Sequence, residues 1–272
     1  MPFPETRVEQ AYNTAICLNN VAVSLLERRC IRPAMAAFKD SVSLMKCISS
    51  LSTSGYSLGQ KRPSSLPEFA DLDGKVKRAS HDLRHALPDD DITALPPIQT
   101  FNEAEYTQVI ASCLSQDENF FLQSDSIFLI RMEMTESSMN PHDTPNVDLE
   151  SSIILNNFAN AYLIQAFSLG TTVDSTIMQH LEAAYQLFHL SYALLHGQSF
   201  NQDFLPLSIL VLGSLFRFAT TLSREMKARD FYYQAMELQY IFMELNCLLS
   251  DDNVTVAAPA AWNCPRRFNM LY

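Results

Sequence analysis

Glycine is scarce in this chain: 6 residues against 13 prolines in a total of 272. Strand-rich folds and phosphate-cradling loops draw on glycine for positive φ, so its shortage argues against a nucleotide-binding α/β enzyme. Basic charge is also in short supply, with 19 Lys and Arg against 30 Asp and Glu and a formal net charge of −11. Binding to a nucleic-acid backbone is driven by Lys and Arg displacing counterions, so no nucleic-acid partner is expected. An acidic surface also repels anionic membranes while tolerating basic peptides. Long apolar runs are absent. The most apolar stretch, 205–216, covers roughly 12 residues, short of the ~20 needed to span a bilayer, and reads as a buried helix. The opening MPFPETRVEQ lacks the basic start and apolar stretch of a secretory signal. The six cysteines, Cys17, Cys30, Cys47, Cys113, Cys247 and Cys264, include no CxxC pair and read as reduced, buried thiols. No GxSxG, P-loop or GxGxxG is present. The expectation is a non-enzymatic, cytoplasmic protein with no cofactor.

Hydrophobic residues make up 47% of the chain and charged residues 18%, enough apolar material for a packed core. Much of it recurs at helical spacing. Residues 18–45 begin LNN, carry the small Ala22, and pass through a turn to Pro33, which suits the first turn of a second helix. Ala34, Phe38 and Ser41 then follow at spacings of four and three on one face. A second copy begins at Leu155, again with LNN. Ala159 and Tyr162 match Ala22 and Leu25, and Ala184, Phe188 and Ser191 keep the same spacing. A third copy carries Leu212, Gly213 and Phe216, then Ala228, Tyr232 and Ala235.

These residues resemble the tetratricopeptide repeat, in which a large residue, a Leu, a small residue and an aromatic mark the first helix. A small residue, an aromatic four later and a small residue three after that mark the second. The LNN starts are similar to those of the kinesin light chain variety. The resemblance covers about half the chain, and its period is broken by a long second connector. It implies a mainly α, α-α helical repeat that binds a partner protein or peptide in a concave groove lined by the first helix of each pair. By that resemblance Asn19, Asn156, Asn160 and Arg217 face the groove, where asparagine amides can pair with both the N–H and the C=O of an extended peptide. The alternative for these asparagines is capping or packing between repeats. Residues 14–26 contain no Lys or Arg, which argues against the family's carboxylate clamp.

The chain then divides into a first helical pair (1–50), an insertion (51–146), two further pairs (147–249) and an irregular tail (250–272). Helices are expected at about 6–28, 32–49, 72–87, 102–115, 148–168, 175–195, 202–223 and 227–249. Ser-, Pro- and Gly-rich sequence after residue 50 and the DDDITALPPIQT stretch read as flexible linkers. Large apolar residues at 120–123 and 127–134, around a Ser-Asp-Ser turn, suggest a β-hairpin.

Three smaller features complete the reading. His81 and His85 share a helix face, as zinc ligands require. However, Lys75, Lys77, Arg78 and Arg84 would repel a cation there, so no metal is expected. His180, His189 and His196 do not converge on one face. Lys61 and Arg62, followed by Lys75, Lys77 and Arg78, resemble a bipartite nuclear-import signal, which adds the nucleus as a second address. Ser64 and Ser80 lie behind basic pairs and resemble phosphorylation sites. Against the adaptor reading stand an obligate subunit that exposes the apolar helix around 205–216 and, more remotely, a metal-dependent enzyme.

Overall fold

A computed structural model describes residues 7–53, 67–87, 96–102, 126–133, 146–169, 175–196, 207–211 and 213–215. Helices dominate them. Helix α1 spans Arg7–Glu27 and α2 spans Ile31–Thr53. After a short 3-10 turn at Pro67–Phe69 comes α3, Leu72–His85. Strands β1 (Ile98–Asn102) and β2 (Ile127–Arg131) follow, then α4 (Val147–Ser168) and α5 (Ser175–His196).

The α1–α2 turn is closed without glycine. Arg29 takes the left-handed conformation, with φ 63°. Its N–H donates to Leu26 O at 2.8 Å and that of Cys30 to Leu25 O at 2.9 Å. This is the Schellman arrangement, in which glycine normally occupies the left-handed position. Helix α4 starts at Asn146, whose side chain accepts from the N–H of Leu149 at 3.3 Å. Asp148 and Glu150 place negative charge at its positive end.

Helices α1 and α2 form one antiparallel hairpin, α4 and α5 form another, and α2 packs against α4 to join them. Phe38 of α2 stacks on Phe158 of α4 with ring centroids 5.8 Å apart. The two hairpins make the same inner contacts. Ala22 and Ala159, Ala34 and Ala184, and Phe38 and Phe188 are all fully buried. The hydroxyl of Ser41 donates to Ala15 O at 2.7 Å, and that of Ser191 donates to Ser152 O at 2.8 Å. Ser152 and Ala15 stand at matching distances before the LNN segments.

Helix α4 is buried on every side from Ser152 to Ala161, the mark of a central helix. The helical residues 207–211 and 213–215 are buried within the chain itself, so this part of the apolar stretch is not an exposed face. Among the described residues no helix is long and apolar enough to cross a membrane.

Within the linker expected at 52–69, α2 continues to Thr53 and Phe69 is buried at the far end, while 54–66 lie outside the described residues. Apolar side chains in a Ser- and Pro-rich stretch still gain from leaving water. Of the expected hairpin, the strand at 120–123 lies outside the described residues, and the pairing that is described is a parallel one. The described partner of β2 is β1, in the register Ile98↔Ile127 to Asn102↔Arg131. The sequence of β1 was expected to be linker, and Asn102 ends this strand. Residues 103–125 and 216–272 lie outside the described residues, and with them the strand at 120–123, the helix to residue 115, Arg217 and the last helix.

Candidate functional site

Successive residues of a β-strand aim their N–H and C=O groups at opposite edges. One edge of β2 is held by β1, as in the bond from Ile127 N–H to Pro97 O at 2.8 Å. The other edge, at Phe128, Ile130 and Met132, meets no third strand among the described residues. It meets asparagines.

Asn157 of α4 accepts from the N–H of Ile130 at 3.0 Å and donates to its C=O at 2.7 Å. Asn20 of α1 repeats the arrangement one step along, accepting from the N–H of Met132 at 2.9 Å and donating to its C=O at 2.7 Å. Asn19 also donates to Ile130 O, at 3.3 Å, and Asn160 donates to Phe128 O at 3.1 Å. A side-chain amide carries the same donor and acceptor as a peptide group. Two of them, gripping residues two apart, do the work of a neighbouring strand.

The asparagines are linked to one another. Asn157 donates to Asn19 Oδ1 at 3.0 Å, and Asn19 donates to Asn20 Oδ1 at 3.2 Å. Asn19, Asn156, Asn157 and Asn160 are fully buried. In such a place a hydrogen bond is strong and a missing one costly. Asn156 is the exception in the cluster. Its side-chain nitrogen and oxygen make no hydrogen bond among the described residues, although its backbone C=O accepts from Asn160 at 3.1 Å.

The side chains of β2 are as tightly held as its backbone. Ile127, Phe128, Leu129, Ile130 and Met132 are buried, and Phe128 stacks on Phe101 of β1 with centroids 5.8 Å apart. Arg131 is the polar member. Its guanidinium donates to Ser24 Oγ at 2.8 Å and pairs with Glu27 of α1. Asn20, Ser24 and Glu27 follow at helical spacings of four and three and line one strip of α1.

The sequence singled out Asn19, Asn156 and Asn160, and the structure brings all three into one buried cluster. They do not line an open groove, because β2 of the same chain lies against them. The residues that grip both main-chain groups, Asn20 and Asn157, are the second asparagines of the two LNN segments and were passed over. The signal was available in the pairing of the motif and in the helical spacing from Asn157 to Asn160.

The other candidate residues lie elsewhere. Lys75, Lys77, Arg78 and Ser80 all lie on α3. Lys75 pairs with Asp40 of α2 at 2.6 Å, and Arg78 with Asp71 at 2.9 Å. The Arg78 guanidinium beside Asp71 holds that carboxyl below its usual range. This half of the import-like motif is therefore helical and partly engaged, not extended. Lys61, Arg62 and Ser64 lie outside the described residues. The rings of His81 and His85 lie tilted against each other with centroids 4.5 Å apart, and no cluster of three His, Cys, Asp or Glu able to hold a metal occurs among the described residues.

A cleft of about 540 Å³ opens between α1 and the start of α3, bordered by Asn13, Cys17, Asp71 and Asp73. Burial pushes the Cys17 thiol up, which makes it a poor nucleophile. Comparison with known proteins gives no further bearing: no family model, no curated protein and no solved structure matches the chain.

Proposed function

We propose that this chain is a non-enzymatic adaptor of the tetratricopeptide-like kind, which grips an extended segment by its main chain. The observation that carries the reading is the double grip of Asn20 on Met132 and of Asn157 on Ile130. Nothing in that grip reads side chains, so the same surface can accept any extended segment whose side chains fit the slots around it. In the present fold the segment is the chain's own β2.

The repeat reading is supported by the matched Ala, Phe and Ser contacts of the two hairpins and by the packing of the second helix of one hairpin on the first helix of the next. That order is how stacked helical pairs bury a continuous core. The expected partner is a protein or peptide, with no nucleic acid and no membrane, and the expected location is the cytoplasm. Nuclear entry through Lys61, Arg62, Lys75, Lys77 and Arg78 would require the first turns of α3 to unwind, since such a signal is read in extended form.

A random peptide library displayed on phage tests the proposal. The unmodified chain should enrich peptides with a shared apolar core. A chain carrying Asn20→Ala and Asn157→Ala, checked for retained helicity, should not. Enrichment of the same peptides by both chains, or of none by the unmodified chain, rejects the ladder as a peptide reader.

A further inference from the structure

The ladder explains how an extended segment is held but not how one segment would be preferred over another. A main-chain grip is indifferent to sequence, so preference must come from side-chain positions along β2. Four of these, Ile127 to Ile130, are apolar and buried, as is Met132 just beyond the strand. They ask only for bulk without charge. Arg131 alone makes a directional, charged contact. It sits between the two gripped residues, and its guanidinium reaches Ser24 and Glu27 on the same strip of α1 that carries Asn20.

We infer that Ser24 and Glu27 form a guanidinium subsite, so that the segments this chain binds are extended, apolar over four residues, and basic at the position between the two asparagine-gripped residues. The inference rests on the adaptor reading above and names the chemistry of its partner. A planar guanidinium presents several donors in a fixed fork, which suits a carboxylate and a hydroxyl placed side by side. The subsite has fixed geometry because register along the strand is set by Asn157 and Asn20. A segment slipped by one residue would turn its basic side chain to the opposite face. The overall charge of −11 draws the same kind of segment. Strand β2 fits this description itself, and any partner segment must compete with it.

The test uses the full chain carrying Ile130→Pro, which removes the N–H that Asn157 accepts and weakens the hold on the resident strand. Peptides of residues 126–133, fused to a small soluble carrier and dye-labelled, are titrated by fluorescence anisotropy. The peptide of native sequence should bind. The Arg131→Glu peptide should bind roughly fivefold more weakly, the effect of one partly exposed charged contact. Adding Glu27→Lys to the chain should reverse that order, and the lysine suits the last turn of α1, where cations are favoured.

If the two peptides bind equally on both backgrounds, the subsite is refuted while the peptide-reading function stands. If neither binds a chain that keeps its helices, both fall. Should Ile130→Pro unfold the chain, the same peptides are added to the unmodified chain and to Glu27→Lys, and the rise in melting temperature is measured. The native peptide should raise it more on the first and the Arg131→Glu peptide more on the second; any other ranking overturns the inference.

Discussion

Replacing Asn157 by Ala removes three hydrogen bonds: two to the main chain of Ile130 and one to Asn19 Oδ1. Their consequences differ. The C=O of Ile130 keeps a donor, because Asn19 also reaches it at 3.3 Å. The N–H of Ile130 loses its partner in a fully buried setting, and such an orphaned donor costs about 1–3 kcal/mol. Each of the other two bonds contributes about 1 kcal/mol. The sum is roughly 3–5 kcal/mol, a large share of the ~5–15 kcal/mol that holds a typical domain together. Asn156, the same residue type and equally buried, makes no side-chain hydrogen bond among the described residues. Asn156→Ala should therefore cost less than about 1 kcal/mol. Urea denaturation followed by helical circular dichroism compares the two, and hydrogen exchange should show the Ile130 amide losing protection in Asn157→Ala alone. Equal losses of stability in the two variants would mean that the ladder is packing and not hydrogen bonding, and the reasoning would fail.

Further outcomes follow from the rest of the fold. Arg29→Gly should raise stability by up to about 1 kcal/mol, because it relieves a left-handed residue with a side chain; a lower urea midpoint would show that the Arg29 side chain contributes more than the strain costs. Burial pushes the His189 imidazole from 6.5 to about 4. The folded chain keeps it neutral while the unfolded chain takes up a proton below about pH 6.5. Stability should therefore be full above that pH and decline between 6.5 and 4, by roughly 3 kcal/mol in total. Thermal melts across that range should show the decline, and His189→Gln should flatten it. Ser41→Ala should cost about 1 kcal/mol and Ser191→Ala up to about 2 kcal/mol, since Ser191 both donates to Ser152 O and pairs with the Ser152 hydroxyl. Denaturant midpoints that rank them the other way would undo the equivalence drawn between the hairpins.

The helices were legible because their signal is local. Small and aromatic residues at spacings of four and three, with Pro33 near the start of α2, mark one buried face without reference to anything distant. The LNN segments were legible for the same reason, and their asparagines lie where β2 is held. What they bind was not. The parallel pairing of β1 with β2 joins stretches separated by the whole of residues 103–126, and no local window contains it. A Ser-Asp-Ser sequence beside an apolar run reads as a hairpin turn and gives no sign that Ser126 accepts from the side chain of Gln99 at 3.1 Å. Asn20 and Asn157 could not be told from Asn19 and Asn156 by residue type. The distinction arises from where β2 lies, a tertiary fact. The basic run on α3 misled in the opposite sense. Charge pattern alone does not reveal that Lys75 is turned toward Asp40.

In a simple stack of helical hairpins each unit touches only its neighbours, so ends can fray while the middle stays folded. Strand β2 changes that behaviour here. It is bonded to α4 through Asn157 and Asn160 and to α1 through Asn19, Asn20 and Arg131, with separations along the chain of 27 residues to the first and 111 and 112 to Asn19 and Asn20. Such distant closures are slow to form, since the ends must meet before any contact rewards them. Once made, they add to the packing of the first hairpin on the second, since Phe158, which stacks on Phe38, lies between Asn157 and Asn160. The chain should therefore fold late and unfold as a unit, a stack of hairpins stitched shut by its own insertion.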